Sequence, residues 1–250
     1  MNKRGPKQSV FVGDSVQTPF GICTVSKYNG ALDIDVVFQD GTKVNTRACE
    51  FKSGSIKNPN YPTVFGVGYI GVGSHKSCDS QCRITPCYNS WSAMLNRCYG
   101  KNKQASYENV EVCNAWHNFQ TFAEWYGLNS VGGWELDKDL IGNGKLYSPE
   151  NCCFLPKELN ILFRKKRKSS SEYPRGVSKL PSSSFQAASS DEGIKTYLGT
   201  YPTQQKAWEA VKSFVETKIK SIAERYKLQL FPSVYTALLS YEIKPYDDGE

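Results

Sequence analysis

Glu135, Asp137, Lys138 and Asp139 place three carboxylates and one amine within a five-residue stretch. On an extended chain the side chains alternate between faces, so the i, i+2, i+4 spacing predicts that the three carboxylates project together. Asn160 follows on a predicted helix, and Arg164, Lys165, Lys166, Arg167 and Lys168 close that helix with consecutive cations. Carboxylate and amide oxygens suit a hard divalent cation such as Mg²⁺ or Mn²⁺. A metal held beside a basic run can polarise a phosphoryl oxygen and activate water. The chemistry these residue types suit is therefore hydrolysis of a phosphodiester, with nucleic acid as the leading partner.

Positioning those groups requires a strand, a turn, a second strand and a helix. Residues Trp134 to Asp139 predict the first strand, and Gly142-Asn143-Gly144 a tight turn. Cys152 to Leu155 predict the returning strand, and Pro156 the start of the helix. The cations at 164–168 exceed what a helix C-terminus needs to complement its dipole, and consecutive like charges repel. They are therefore expected to track phosphates, each neutralised phosphate steepening the salt dependence of binding.

The residues Leu136-Asp137-Lys138-Asp139, Tyr147-Ser148-Pro149-Glu150-Asn151, Cys153-Phe154-Leu155-Pro156 and Asn160 resemble the ββα-metal core of HNH (His-Me finger) endonucleases. The likeness is to the variant found in bacteriophage proteins that also carry an AP2-like domain. It implies a metal-dependent enzyme that nicks or cuts DNA, with Asp137, Lys138 and Asp139 catalytic. It also implies that Asn151 holds the loop and that Asp139 and Asn160 bind Mg²⁺ (or Mn²⁺). Where the family has a histidine base, this chain has Lys138, and its two histidines, His75 and His117, lie elsewhere. A protonated lysine is a poor base but a good cation for a developing negative charge. Lys138 with a pKa lowered by the metal, Lys138 as a cation, and Asp137 as the base all stay open.

The chain has 250 residues, 39% hydrophobic and 13% aromatic, which is enough to build packed cores and excludes a disordered protein. The net charge of +7 favours anionic partners. No run is long enough to span a membrane and the first residues lack an apolar signal region, so a cytoplasmic protein is expected, in the host cell if phage-encoded. The nine cysteines are odd in number and predict no disulfide framework. His75, Cys78, Cys82 and Cys87 could bind zinc, but their spacing lacks the paired two-residue gaps of common zinc sites. Buried thiols at Cys98, Cys113 and Cys152 or Cys153, with a loop at 78–87, are the expectation.

Residues 1–57 alternate short β-branched runs with glycine turns and predict a small antiparallel barrel. This layout resembles SH3-like or KOW-type barrels, which implies a docking part able to bind a host protein or nucleic acid. Residues 58–85 are rich in glycine and proline and predict a flexible connector. Residues 86–168 hold the nuclease-like core behind two amphipathic helices. Trp91, Met94, Leu95 and Cys98 mark one helix, and Trp116, Phe119, Ala123 and Tyr126 the other, across 114–126. His117 is expected on the polar face.

In residues 169–230 three short strands precede a helix striped by Ala207, Val211, Val215, Ile219, Ile222 and Tyr226. With Arg175-Gly176-Val177, Phe185-Gln186-Ala187, Tyr197-Leu198-Gly199-Thr200-Tyr201 and Ala207-Trp208, this segment resembles an AP2 DNA-binding domain. The resemblance implies that Arg175, Lys179, Lys195 and Gln186 approach DNA. Serines at 182–184 and 189–190 favour phosphate contact over base readout. Residues 231–250 predict a C-terminal tail. The expected fold class is α+β: barrel, ββα-metal core, and three-stranded sheet with helix. The expected function is metal-dependent DNA nicking. A catalytically inactive DNA-binding protein and a phage inhibitor of a host defence or nuclease system are the alternatives.

Overall fold

A computed structural model describes residues 9–163, 172–191 and 194–245. The chain divides into two units, one of Met1–Glu108 with Val112–Trp125 and the other of Asn109–Glu111 with Tyr126–Glu250. Helices and several small sheets are both present in the described residues.

In the first unit, β1 (Ser15–Thr18), β2 (Gly21–Gly30), β3 (Asp33–Phe38) and β4 (Lys43–Thr46) form one antiparallel sheet in chain order. Every second residue of β3 is buried, so Ile34, Val36 and Phe38 face a core completed by Cys23, Val25, Phe51 and Ile56. Each such side chain contributes about 1.5–3 kcal/mol by leaving water. Helix α1 (Ala48–Ser53) supplies Phe51 to that core. The expected barrel is corrected here to an open sheet, because among the described residues β1 and β4 remain edges and do not pair.

The predicted connector, though largely exposed, carries three isolated bridges. Val64 bridges Gly68, Tyr69 bridges Asn118 and Cys78 bridges Ile84. A Cβ at Gly68 would lie 2.4 Å from the Leu95 side chain and 3.0 Å from the Trp91 ring, so the glycine is there for close approach. Helix α2 (Pro86–Tyr99) starts with Thr85 accepting from the Tyr88 amide and buries the expected stripe of Trp91, Met94, Leu95 and Cys98. The helix expected over 114–126 is broken. A 3₁₀ turn at Asn114–His117 leads into α3 (Phe119–Asn129), and Asn118 between them is extended. Asn118 Oδ1 accepts from the Gln120 amide at 2.9 Å, satisfying one of the donors that a helix start leaves open. His117 is half-buried with its ring edge-on to Tyr99, not on a polar helix face. Trp91 Nε1 donates to the Trp116 carbonyl at 2.7 Å in the middle of this aromatic cluster.

In the second unit Glu111, at the start of β5 (Glu111–Val112), donates its amide to the Lys145 carbonyl beside β7 (Leu146–Tyr147). Strand β6 (Glu135–Asp137) pairs antiparallel with β8 (Cys153–Leu155), and α4 (Lys157–Leu162) follows at once. The connection is longer than the tight turn expected at 142–144, since residues 138–152 and β7 lie between the paired strands.

Strands β9 (Val177–Lys179), β10 (Phe185–Asp191) and β11 (Ile194–Tyr201) form an antiparallel sheet in the order β11-β10-β9. Helix α5 (Gln204–Arg225) packs on it through Ala207, Trp208, Val211, Val215, Ile219 and Ile222. One hydrophobic cluster runs from Cys153, Leu155, Leu159 and Leu162 through these α5 residues to Val234 and Leu238 of α6 (Pro232–Leu239). The ββα unit and the three-stranded sheet therefore share a core, and much of the expected tail is part of it. No described helix is long and apolar enough to cross a membrane.

Candidate functional site

Strand β6 ends at Asp137 because its carboxylate, not a neighbouring strand, takes the next amides. Asp137 Oδ1 accepts from Asp139 N at 3.0 Å and from Leu140 N at 2.8 Å, the local bonding by which aspartate turns a chain. The side chain is buried, 7% exposed. Burial pushes its pKa above the ordinary carboxylate value, the two amides oppose that shift, and the charge of Asp139 adds to it. Lys138 is also buried, its Nζ 2.9 Å from Asp139 Oδ1 and 5.7 Å from the centre of the Tyr147 ring. Asp139 is the solvent-facing member of the pair, with half its side chain exposed.

The three carboxylates are thus not presented as one row. Asp137 turns inward to the backbone, Asp139 engages Lys138, and Glu135 is exposed and accepts from Asn160 Nδ2 at 3.0 Å. Asn160 is tied to Glu135, and no bond joins it to Asp139, its expected partner at a metal. Among the described residues no group of three or more His, Cys, Asp or Glu side chains is arranged to hold a metal ion. Asn151 Nδ2 donates to the Leu146 carbonyl at 3.4 Å, and a Cβ at Gly142 would lie 2.8 Å from the Asn151 Cβ.

Two side chains meet the C-terminal end of α4: Arg175, which is expected to approach DNA, and Tyr241, which the sequence reading does not single out. Arg175 Nη1 donates to the carbonyl of Leu162, the last residue of α4, at 2.7 Å. The next residue, Gly176, has φ +80°, and a Cβ there would sit 2.4 Å from the Ala188 carbonyl. Tyr241 packs its ring on Phe163 with centroids 4.5 Å apart. Its phenol pKa is raised by burial first and then by the charges of Asp137 and Asp139, while Arg175 lowers it. No spacing signal links either residue to the acidic strand, because both arrive through tertiary packing.

On the three-stranded sheet, register separates the expected DNA contacts. Lys179 pairs with Phe185, which pairs with Tyr201, and both aromatics pack on the core side. Gln186 lies in the adjacent row with Ser178 and Thr200, hence on the other face. Tyr197 is 60% exposed, and its hydroxyl is 2.9 Å from Thr200 Oγ1, which puts it on the Gln186 face. Lys195, two residues before Tyr197, is exposed as well. The cations Arg164, Lys165, Lys166, Arg167 and Lys168 lie outside the described residues.

The thiol loop is built differently. His75, Cys78 and Cys87 line a cavity of about 400 Å³ together with Asp79, Thr85 and Phe119. Cys82 is exposed and is not among the lining residues. Burial pushes the Cys87 thiol up to about 12, so it is protonated at neutral pH. The His75 amide donates to Gln120 Oε1 at 2.9 Å.

Comparison with protein-family models, with curated proteins and with solved structures finds no match for this chain.

Proposed function

We propose that this protein binds DNA and nicks it in a metal-dependent reaction, using the turn at the end of β6. The observation that carries the reading is the Lys138–Asp139 pair, 2.9 Å apart, where a two-stranded ribbon meets a helix. A buried ammonium beside a solvent-facing carboxylate offers a cation for the charge that develops on phosphorus oxygens. The carboxylate offers an oxygen ligand for Mg²⁺ or Mn²⁺ that solvent can reach. In this reading Asp139 binds the metal, Lys138 stabilises the transition state, and Asp137 holds the turn that aims both. DNA is drawn by the net charge of +7 and by the Gln186–Tyr197–Lys195 face of the sheet. Tyr197 adds an aromatic surface there, and Lys195 a phosphate contact.

A second reading, a DNA-binding protein that does not cut, has its own support. The Asp137 oxygen is committed to two backbone amides and the Lys138 ammonium to Asp139, so neither is poised as a base. Supercoiled plasmid separates the two. The nuclease reading expects nicking with Mg²⁺ or Mn²⁺ that is abolished by EDTA and by Asp139→Ala. Salt-sensitive gel shifts without nicking under either metal would sink it and leave the binding protein.

A further inference from the structure

Helix α5 buries one face on the three-stranded sheet and borders a groove of about 590 Å³ shared with β11. The groove has an apolar wall, with Leu198 and Tyr201 from β11 and Phe214 and Ile222 from α5. Ala187 pairs with Gly199 and Ala188 with Tyr197, so Leu198 is the extra residue of a bulge. The Tyr201 hydroxyl donates to the Leu198 carbonyl at 3.0 Å and ties that bulge down. Along α5 the groove is lined at i, i+4 and i+8 by Ser213, Thr217 and Ser221, all exposed. Such a row of short side chains leaves a furrow that admits the ridge of another helix. From Ala210 to Arg225 the groove follows about 22 Å of α5.

Charge indicates what the occupant carries. Among the described residues, Lys218 and Arg225 line the groove and no acidic residue does. Both lie toward the C-terminal end of α5, while the half around Ala210, Ser213 and Phe214 is uncharged. Arg225 meets Glu158 at 3.1 Å, yet its side chain is 59% exposed. A guanidinium has five N–H donors, so it can hold Glu158 and a second carboxylate together. A sugar-phosphate backbone would satisfy the cations but has no apolar side to bury against Leu198 and Phe214. We propose that this groove docks an amphipathic helix of a partner protein, about 15 residues long. Its apolar residues lie toward Ala210, and its acidic residues toward Lys218 and Arg225. The site is separate from the turn at the end of β6 and does not depend on DNA cutting.

The test pans a displayed library of helical peptides, each about 15 residues long, on the full chain. Leucines are fixed at i, i+4 and i+7, and the other positions are randomised. Enriched peptides are expected to carry Asp or Glu concentrated in one half. A synthetic copy should bind about tenfold more weakly to Thr217→Trp, which fills the furrow from an exposed position, and to Lys218→Glu. Both variants should keep the wild-type melting temperature. Exchanging the peptide's acidic residues for lysine should restore binding to Lys218→Glu and weaken it to wild type. No enrichment on wild type over Thr217→Trp would overturn the docking site. Enriched peptides without an acidic half, or a lysine peptide that binds both proteins equally, would overturn the charge assignment. A wild-type dimer in sedimentation velocity that Thr217→Trp abolishes would overturn the separate partner and give the groove to a second copy of the chain. DNA gel shifts weakened by both variants, with no peptide enriched, would give it to nucleic acid instead.

Discussion

Asp79 in the thiol loop and Asp137 at the end of β6 solve the same local problem. Asp79 Oδ1 accepts from Gln81 N at 2.8 Å and from Arg83 N at 2.9 Å. Asp137 Oδ1 accepts from Asp139 N and Leu140 N. Their pKa values nonetheless move in opposite directions. Asp79 is lowered, chiefly by the Arg83 amide and then by the Arg83 guanidinium, which it also meets as an ion pair at 2.8 Å. Asp137 is raised, because burial outweighs the same kind of bonds. An aspartate that only turns a chain is best left in water with a cation beside it. One buried next to a second carboxylate costs stability, and a protein tolerates that cost where the charge has a use. The comparison is consistent with the proposed use of the turn at the end of β6 and gives no such support to Asp79.

The largest effect expected from this contrast is on Lys138. Lys138→Met keeps the length of a side chain that is almost wholly buried and removes its ammonium. Nicking kcat is expected to fall about 100-fold, the cost of deleting one preorganised charge donor from a transition state. A variant as active as wild type would break the comparison at its stronger end.

Next is Asp137→Asn, which is expected to raise stability near neutral pH. The amide oxygen can still accept from both backbone N–H groups, while the buried charge is gone. The sign follows from linkage. A folded pKa above the ordinary 3.8 means that the native state binds the proton more readily than the unfolded chain. The ionised carboxylate therefore costs nothing below that ordinary value, and its penalty grows as pH rises through the folded pKa. The melting temperature of Asp137→Asn should exceed wild type at about pH 7, and the two should converge below about pH 4. Each kcal/mol recovered corresponds to about 2–4 °C in a chain of this size. A variant less stable than wild type at neutral pH would mean that the charge itself holds the turn.

How much of this was legible beforehand depended on whether the signal was local. The stripe Trp91, Met94, Leu95, Cys98 and the α5 stripe were legible because helical periodicity is written along the chain and both faces are buried. The order of three strands and a helix was legible for the same reason. The alternation of Glu135, Asp137 and Asp139 misled, because it assumed a strand that continues and β6 stops at Asp137. The cluster of glycines at 66–73 looked like flexibility, whereas Gly68 is needed for its approach to Trp91 and Leu95. Barrel closure requires β1 to meet β4, a long-range pairing that no strand pattern encodes. The Arg175–Leu162 bond and the Tyr241–Phe163 contact are tertiary, between residues far apart in the chain, and no local spacing announces them.

Asp79→Asn should do the reverse of Asp137→Asn, and more weakly. A depressed carboxylate contributes stability above its unfolded pKa of about 3.8 and loses it as pH falls through the folded value. The variant is therefore expected to melt slightly below wild type at neutral pH, with the gap closing under acid. Thermal melts across the same pH series check it. Parallel curves for the two aspartate variants would remove burial as the factor that separates them.

The smallest perturbation concerns the thiols, and it probes the loop without changing a residue. Only thiolate reacts with a disulfide reagent. Cys82 is exposed, whereas Cys87 lines the cavity with its thiol pushed up to about 12. At about pH 8 only some ten-thousandth of such a thiol is ionised, so Cys87 should label at least about 100-fold more slowly than Cys82. Mass spectrometry of timed samples reads each site separately. The same labelling with Zn²⁺ present carries the argument further. A zinc ligand must give up its proton, and the burial that protects Cys87 from reagent also opposes that loss. Zinc is then expected to leave the labelling order unchanged. Joint protection of Cys78, Cys82 and Cys87 by zinc would show the metal providing the charge that burial withholds, and would make the thiol loop a zinc site.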